Sequence, residues 1–250
     1  MTKKHFSLIE LLVVIAVIGI LFSLLAPALS SARESAKTAT CKSTLKSLHT
    51  ASLMYADDNN DVAIFKARQP GYDNYSPGWS DYSRLAQYLM DTGSEPDGYR
   101  YYNEKFLCPK ADYARSQETN FVEGRPYELR FSYGMNTSNQ VINKASQFAG
   151  VKFTQLNDPA NKILFSDSIS EAIIQNNAEY GMYLGGNYEN PANNWNRQVA
   201  YRHKEQANTV FYDGHIGPVN HLQLTSNATD YWTLSGYVHI SKNGTKTIVP

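Results

Sequence analysis

From Phe6 to Leu29 the chain reads FSLIELLVVIAVIGILFSLLAPAL, two dozen residues that contain one charged side chain, Glu10. As an α-helix rising about 1.5 Å per residue this stretch is about 36 Å long, enough to cross a ~30 Å hydrocarbon core with some tilt. A membrane anchor is therefore expected. Glu10 sits awkwardly in such an anchor, because an ionised carboxylate in apolar surroundings costs several kcal/mol unless it is paired. The nearby cations Lys3 and Lys4 belong to the polar leader and favour water and headgroups. A cut between His5 and Phe6 would instead create an α-amine four residues before Glu10, one helical turn away on the same face. That amine could come from the same chain or a neighbouring one.

A short basic leader, Met1 to His5, followed by Phe6, Ser7, Leu8, Ile9, Glu10, Leu11 and Leu12 and then an unbroken apolar run, resembles the start of type IV prepilins and of the pseudopilins of type II secretion. The resemblance implies that a membrane-embedded prepilin peptidase cuts the His5–Phe6 bond and methylates the new amino terminus at Phe6. It also implies that Glu10 is the assembly glutamate, paired with the amine of an adjacent subunit in a filament core. The family usually has Gly before the cut, where this chain has His5. A secretory signal peptide would have an apolar core of only roughly 7–15 residues and no acid within it. That reading and a plain signal anchor fit less well.

Around this segment, 250 residues leave room for one further domain of about two hundred residues with a core of its own. The 23 basic and 23 acidic residues cancel, so neither a nucleic-acid footprint nor a polybasic membrane patch is expected. The 18 Tyr residues favour a sheet-rich domain, with wet interfaces and sugar stacking as the alternative use. Cys41 and Cys108 have no second Cys or His at metal-ligand spacing beside them. Outside the cytoplasm they should be joined, closing a loop of about 67 residues and stabilising the fold by about 4 kcal/mol in the chain-entropy model. Charge counting alone would not put the large domain outside, since Lys3 and Lys4 precede the span while Arg33, Lys37, Lys42 and Lys46 follow it. The expected location, an inner-membrane single pass with a periplasmic carboxy-terminal domain, rests on the resemblance and the cysteine pair.

The helix should continue past the membrane. Ala32, Ala36, Ala39, Leu45, Leu48, Ala51, Leu53 and Met54 keep an apolar stripe near helical spacing, interleaved with charged residues. Its end is marked by Asp57, Asp58, Asn59, Asn60 and Asp61, which favour turns. Pro27 should kink or loosen it. Beyond it, a loop from Lys66 to Gly78, a short helix from Ser80 or Asp81 to Met90 buried through Leu85, Tyr88 and Leu89, and a turn from Asp91 to Asp97 are expected. Strands are expected over Leu129–Tyr133, Lys162–Ser166, Asn208–Tyr212 and Tyr231–Ile240. The fold class is thus α+β: a long amino-terminal transmembrane helix packed against an antiparallel sheet, as in pilins. The expected organisation is a leader over 1–5, a transmembrane helix over 6–29, its amphipathic continuation over 30–57 and a periplasmic domain over 58–250.

Near the carboxy terminus, Arg202 and His203 are followed by Asn208, Phe211, Tyr212, Asp213, Gly214 and His215, with nine residues between His203 and Asp213. Together with Cys41, Met54–Asn59, Phe106–Pro109 and Asn157–Pro159, this resembles a large branch of pilin-like proteins that ends in such a His/Asp-Gly element. Asp213-Gly214 is a hairpin turn signal. His203 should lie on the neighbouring strand opposite Asp213, where an imidazole–carboxylate hydrogen bond would pin the register. His203, Asp213 and His215, with His221, are also weak candidates for a divalent metal site, sugar binding being a further option. The acidic cluster Asp57, Asn59, Asp61 has the opening spacing of an EF-hand loop but then places Val62 and Arg68 where Gly and Glu are required, so a helix terminus is the better account.

No His-Glu-x-x-His, Gly-x-Ser-x-Gly, Walker loop or dinucleotide fingerprint occurs, so neither an enzyme nor a cofactor is expected. Asn-x-Ser/Thr triplets, those at Asn136, Asn227 and Asn243 among them, carry little weight. The expectation is a structural subunit that polymerises with other pilin-like subunits through a secretion or pilus assembly machinery. The alternative is a membrane-tethered periplasmic module that binds carbohydrate or another ligand and never polymerises.

Overall fold

An apolar run rich in Leu and Ala, with β-branched Val and Ile among them, opens one helix, α1, from Leu8 to Asp58. The computed structural model describes residues 7–64, 85, 87–89, 101–116, 127–137, 149–170, 172–173, 199–226, 231–232, 237–240 and 246–249. Helical structure runs unbroken through Pro27, so the expected local loosening does not end or divide the helix. Compactness divides the chain into two units, Met1–Ala39 and Thr40–Pro250.

Within the first unit the apolar residues are exposed, Leu8 and Phe22 to at least 70%. An 18-residue window has mean hydropathy 3.0, long and apolar enough to cross a membrane. The expected stripe does not begin to pack where the sequence starts it. Ala32, Ala36 and Ala39 are exposed, as are Leu53 and Met54. Burial starts at Cys41 and recurs at Thr44, Leu45, Leu48, Ala51, Ser52 and Ala56, steps of three and four that keep one face inward.

In the second unit, that face meets a five-stranded sheet ordered β6-β3-β5-β7-β8, formed by Tyr133–Asn136 (β3), Ile163–Asp167 (β5), Ala172–Ile173 (β6), Ala207–Phe211 (β7) and Ile216–Val219 (β8). Leu45, Leu48, Tyr133, Met135, Phe165 and Val210 share one core. Full burial of each large apolar side chain there contributes roughly 1.5–3 kcal/mol. The other face carries a second core with Ile163, Phe211, Val219, Leu224 and Trp232, which explains why β5 and β7 are buried at every position. Leu224 comes from the short helix α3, His221–Thr225, closed by a capping box between Asn220 and Gln223.

The architecture is α+β as expected, but the sheet is mixed rather than antiparallel. β6 pairs with β3 in parallel while the other pairings in this sheet run antiparallel. After β5 the chain crosses β3 at Ser168–Ser170 to reach its far edge. Gly134 makes the crossing feasible: a Cβ there would lie 2.7 Å from the Ser170 carbonyl oxygen and 2.8 Å from the Ser168 side chain. A two-stranded pair of Tyr101–Tyr102 (β1) with Tyr127–Glu128 (β2), and a three-stranded sheet of Ala149–Val151 (β4), Tyr237–Ile240 (β9) and Lys246–Val249 (β10), complete the sheets, with the short helix α2 at Asp112–Ser116.

Two further expectations need correction. Leu129–Phe131 is a 3₁₀ turn closed by Ser132 N–H donating to the Leu129 carbonyl at 2.9 Å, and the strand starts only at Tyr133. Tyr231 and Trp232 form a bend, with the strand beginning at Tyr237. Of the expected short helix, Leu85 and Leu89 are buried and joined by a Leu89-to-Leu85 backbone bond of 3.0 Å, and Tyr88 donates to Asp58 at 2.9 Å. Gln87 is exposed on a turn, and the helix's remaining residues, the 66–78 loop and the 91–97 turn lie outside the described residues.

Candidate functional site

Three places hold the residues singled out above. At the start of α1, His5 and Phe6 lie outside the described residues. Glu10 Oε2 accepts the Ser7 backbone N–H at 2.8 Å, and Ser7 Oγ accepts the Ile9 N–H at 3.3 Å. This is a reciprocal helix cap, with Ser7 at the cap and Glu10 three residues on. Sequence reasoning overlooked it, although Ser7-x-x-Glu10 before an apolar run is its signature. One carboxylate oxygen therefore has a backbone partner within its own chain, while a neutral N–H supplies no countercharge.

At the β7–β8 connection, Asp213-Gly214 forms the expected hairpin turn. Gly214 N–H donates to the Phe211 carbonyl at 2.9 Å and Phe211 N–H to the His215 carbonyl at 3.1 Å, while Gly214 has φ +86°. That is a three-residue loop whose last residue takes the left-handed conformation glycine favours. The turn seats on α1: His49 Nε2 donates to the Tyr212 carbonyl at 3.1 Å and Lys46 Nζ to the Gly214 carbonyl at 3.0 Å. Burial holds the His49 imidazole below its ordinary pKa, the Tyr212 carbonyl opposing. Asp213 and His215 pair with each other, Oδ1 to Nδ1 at 2.7 Å, and His215 stacks on Phe211 at 4.2 Å. Although burial works against ionisation of Asp213, the backbone and ring hydrogen bonds from His215 outweigh it and hold the carboxyl low.

His203 does not face Asp213. The two stand at opposite ends of β7, whose five residues span roughly 17 Å, so a nine-residue spacing across a whole strand keeps them apart. For the same reason His203, Asp213 and His215 do not form one metal site: His203 is buried while His215 is on the exposed turn. His221 stands apart from them on α3, edge-on to Tyr201. His203 instead sits on a tight turn closed by reciprocal backbone bonds with Gln206, of 3.0 and 3.2 Å, through Lys204 and Glu205, both at positive φ. The turn aims the imidazole inward, where Nε2 lies 3.4 Å from Asp167 Oδ2 and 3.5 Å from Cys108 Sγ.

Around it the interior is polar. Cys108 is joined to Cys41 of α1, the expected disulfide, with Cα atoms 4.9 Å apart. Arg202 donates to the carbonyls of Ser132 and Phe131 at 3.1 Å and of Ser168 at 2.9 Å, tying the start of β3 to the end of β5. Asp167 accepts the Asn208 N–H at 2.7 Å. Burial pushes its carboxyl up to about 7 against the opposing pull of Arg202 and Asn208. Asp167 Oδ1 has no hydrogen-bond partner among the described residues. Asp167, Ser132 and His49 were not singled out from the sequence, since nothing local marks them and only the sheet order brings them to the cysteines and the turn.

The acidic cluster does not converge on a cation. Asp61 accepts from Thr154 N–H and Oγ–H, Asp58 from Tyr88, and Asn59 Nδ2 donates to the Tyr55 carbonyl at 2.7 Å, as suits a helix terminus. Asn136 is fully buried, its amide donating to the carbonyls of Ile163 and Trp232, and so offers no glycan acceptor. Compared with protein-family models, curated proteins and solved structures, the chain matches none.

Proposed function

We propose that this chain is a pilin-like or pseudopilin subunit of a type II secretion or type IV pilus-like filament. In this reading it sits in the inner membrane with the outer domain periplasmic, is cut before Phe6 by a prepilin peptidase and methylated there, and packs against other pilin-like subunits through α1. It acts as a structural subunit rather than an enzyme. The observation that carries the reading is the exposed apolar surface of Leu8 to Leu29, too extensive to face water, with Glu10 its one charge. The position of Glu10 supports it as well. Its carboxylate bonds the peptide N–H that joins Ser7 to Phe6, so an amine freed at Phe6 would arise one residue away.

The tethered ligand-binding alternative draws on the same contact, because a carboxylate with a partner in its own chain depends less on a neighbour. Mass spectrometry of the native protein separates the two. A mature chain beginning at N-methylated Phe6 is expected; an intact Met1 would favour the tether. Glu10→Gln then tests the mechanism, since the amide oxygen still caps Ser7 but carries no charge. Filament assembly or secretion should fail in Glu10→Gln while membrane insertion persists. Normal assembly would leave the glutamate with a capping role only.

A further inference from the structure

We propose that Cys41, Cys108 and His203 form a zinc site when the Cys41–Cys108 disulfide is reduced. The Sγ atoms and the imidazole nitrogen all lie within 4.8 Å of one another, and all three residues are buried. Zn–S bonds of about 2.3 Å and Zn–N bonds of about 2.0–2.1 Å at a tetrahedral angle put sulfur and nitrogen about 3.5–3.6 Å apart. His203 Nε2 stands 3.5 Å from Cys108 Sγ. A disulfide sulfur is only a weak acceptor, so in the oxidised chain the contact of Nε2 with Asp167 Oδ2, at 3.4 Å, is the stronger of its two.

Each donor sits on a different, well-supported element. Cys41 is on α1, Cys108 follows a 3₁₀ turn and donates its backbone N–H to Ser132 Oγ at 3.3 Å, and His203 is fixed by the turn to Gln206. The ligand positions are 67 and 95 residues apart (41 to 108 and 108 to 203), which is why no spacing motif announces them. Asp167 Oδ2 is 3.4 Å from the imidazole but lies outside the cluster of three, so a fourth ligand would have to be water. Two thiolates and one imidazole suit Zn²⁺ better than a hard oxygen-seeking ion, and the thiolates cancel its charge, so the buried site gains no net charge.

The chemistry balances with a dithiol as reductant. The dithiol delivers two electrons and two protons, the S–S bond breaks to two thiols, and the reductant closes to its own disulfide. Zinc then displaces one proton from each thiol to solvent. The ion replaces the covalent link with a coordinate one between α1 and the segment after β1, and adds the turn before β7. The fold would thus be tied at this point in either redox state, before and after disulfide formation.

The test uses the full chain in detergent, reduced without oxygen by a phosphine, which competes weakly for zinc, and titrated with Zn²⁺ or Co²⁺. The reduced chain should retain one zinc per chain after desalting and give thiolate-to-cobalt charge-transfer absorption with the d–d bands of a tetrahedral site. The oxidised chain should do neither. Cys41→Ser and Cys108→Ser should abolish retention, His203→Gln should weaken it at least about tenfold, and His203→Cys should restore it. Should the cysteine variants fail to fold, the reduced wild type decides, because zinc must raise its melting temperature and leave that of the oxidised chain unchanged. A reduced chain that takes up no zinc, equal uptake by the oxidised chain, or unchanged affinity in His203→Gln would overturn the proposal.

Discussion

Replacing Gly214 by alanine should be among the most damaging single-methyl changes in the outer domain, and its cost can be assembled from two separate sources. Gly214 has φ +86°, a conformation that costs an L-residue about 1–2 kcal/mol. The added Cβ would also stand 2.6 Å from His49 Cε1 and 2.9 Å from Nδ1, contacts that real structures do not tolerate. Relief requires the imidazole to move, and that loses the Nε2 bond to the Tyr212 carbonyl; overpacking of this kind typically costs about 1–3 kcal/mol. The sum is about 2–5 kcal/mol, or roughly 4–20 °C in melting temperature for a domain of this size. Urea unfolding of Gly214→Ala, His49→Ala and the double variant separates the parts. Removing the ring should relieve the steric share, so the pair should couple by about 1–3 kcal/mol, while the backbone share persists. A Gly214→Ala loss below about 1 kcal/mol, or additive single losses, would refute the docking of this turn on α1.

The same imidazole predicts a pH dependence. Burial holds His49 below its ordinary 6.5, so as pH falls through that value the unfolded chain takes up the proton first, and stability present above it declines toward the lower folded pKa, by at most about 1.4 kcal/mol per pH unit. Lys46, which lowers the value further, and Asp213, which raises it, set the lower edge of the window. Asp167, whose carboxyl is pushed up to about 7 by burial, works the other way over this range in both chains, so the test is the difference: between pH 7.5 and 5 the unfolding midpoint of the wild type should fall relative to that of His49→Gln. Lys204 and Glu205 both lie in the left-handed region, at φ 54° and 61°, so the double change Lys204→Asn with Glu205→Gly should raise stability by about 1–2 kcal/mol, read by thermal unfolding. Reducing the Cys41–Cys108 disulfide with a chelator present should lower stability by about 4 kcal/mol for its 67-residue separation, measured in urea. An unchanged midpoint would show that the loop is constrained by packing alone.

The amino-terminal half of α1 was legible because its information is local. Apart from Glu10 and Ser23, Leu8 to Leu29 is apolar all round, and no tertiary partner is needed to make such a run a helix with an exposed, lipid-compatible surface. The Asp213-Gly214 turn was legible for the same reason, since the left-handed position that glycine favours is a property of a few bonds. What the sequence could not assign is the partner of each polar residue. His203 was expected opposite Asp213 because nine residues separate them, yet that spacing traverses all of β7, and the imidazole finds Asp167 and Cys108 from distant parts of the chain. The parallel β6 edge depends likewise on Gly134 leaving room for the crossing at Ser168–Ser170, a clearance that exists only between packed strands. Sequence alone determined which segments are apolar, where the chain must turn and which side chains bear chemistry. Tertiary structure decided which of those side chains meet, because strand order and register bring together groups that no one-dimensional spacing encodes.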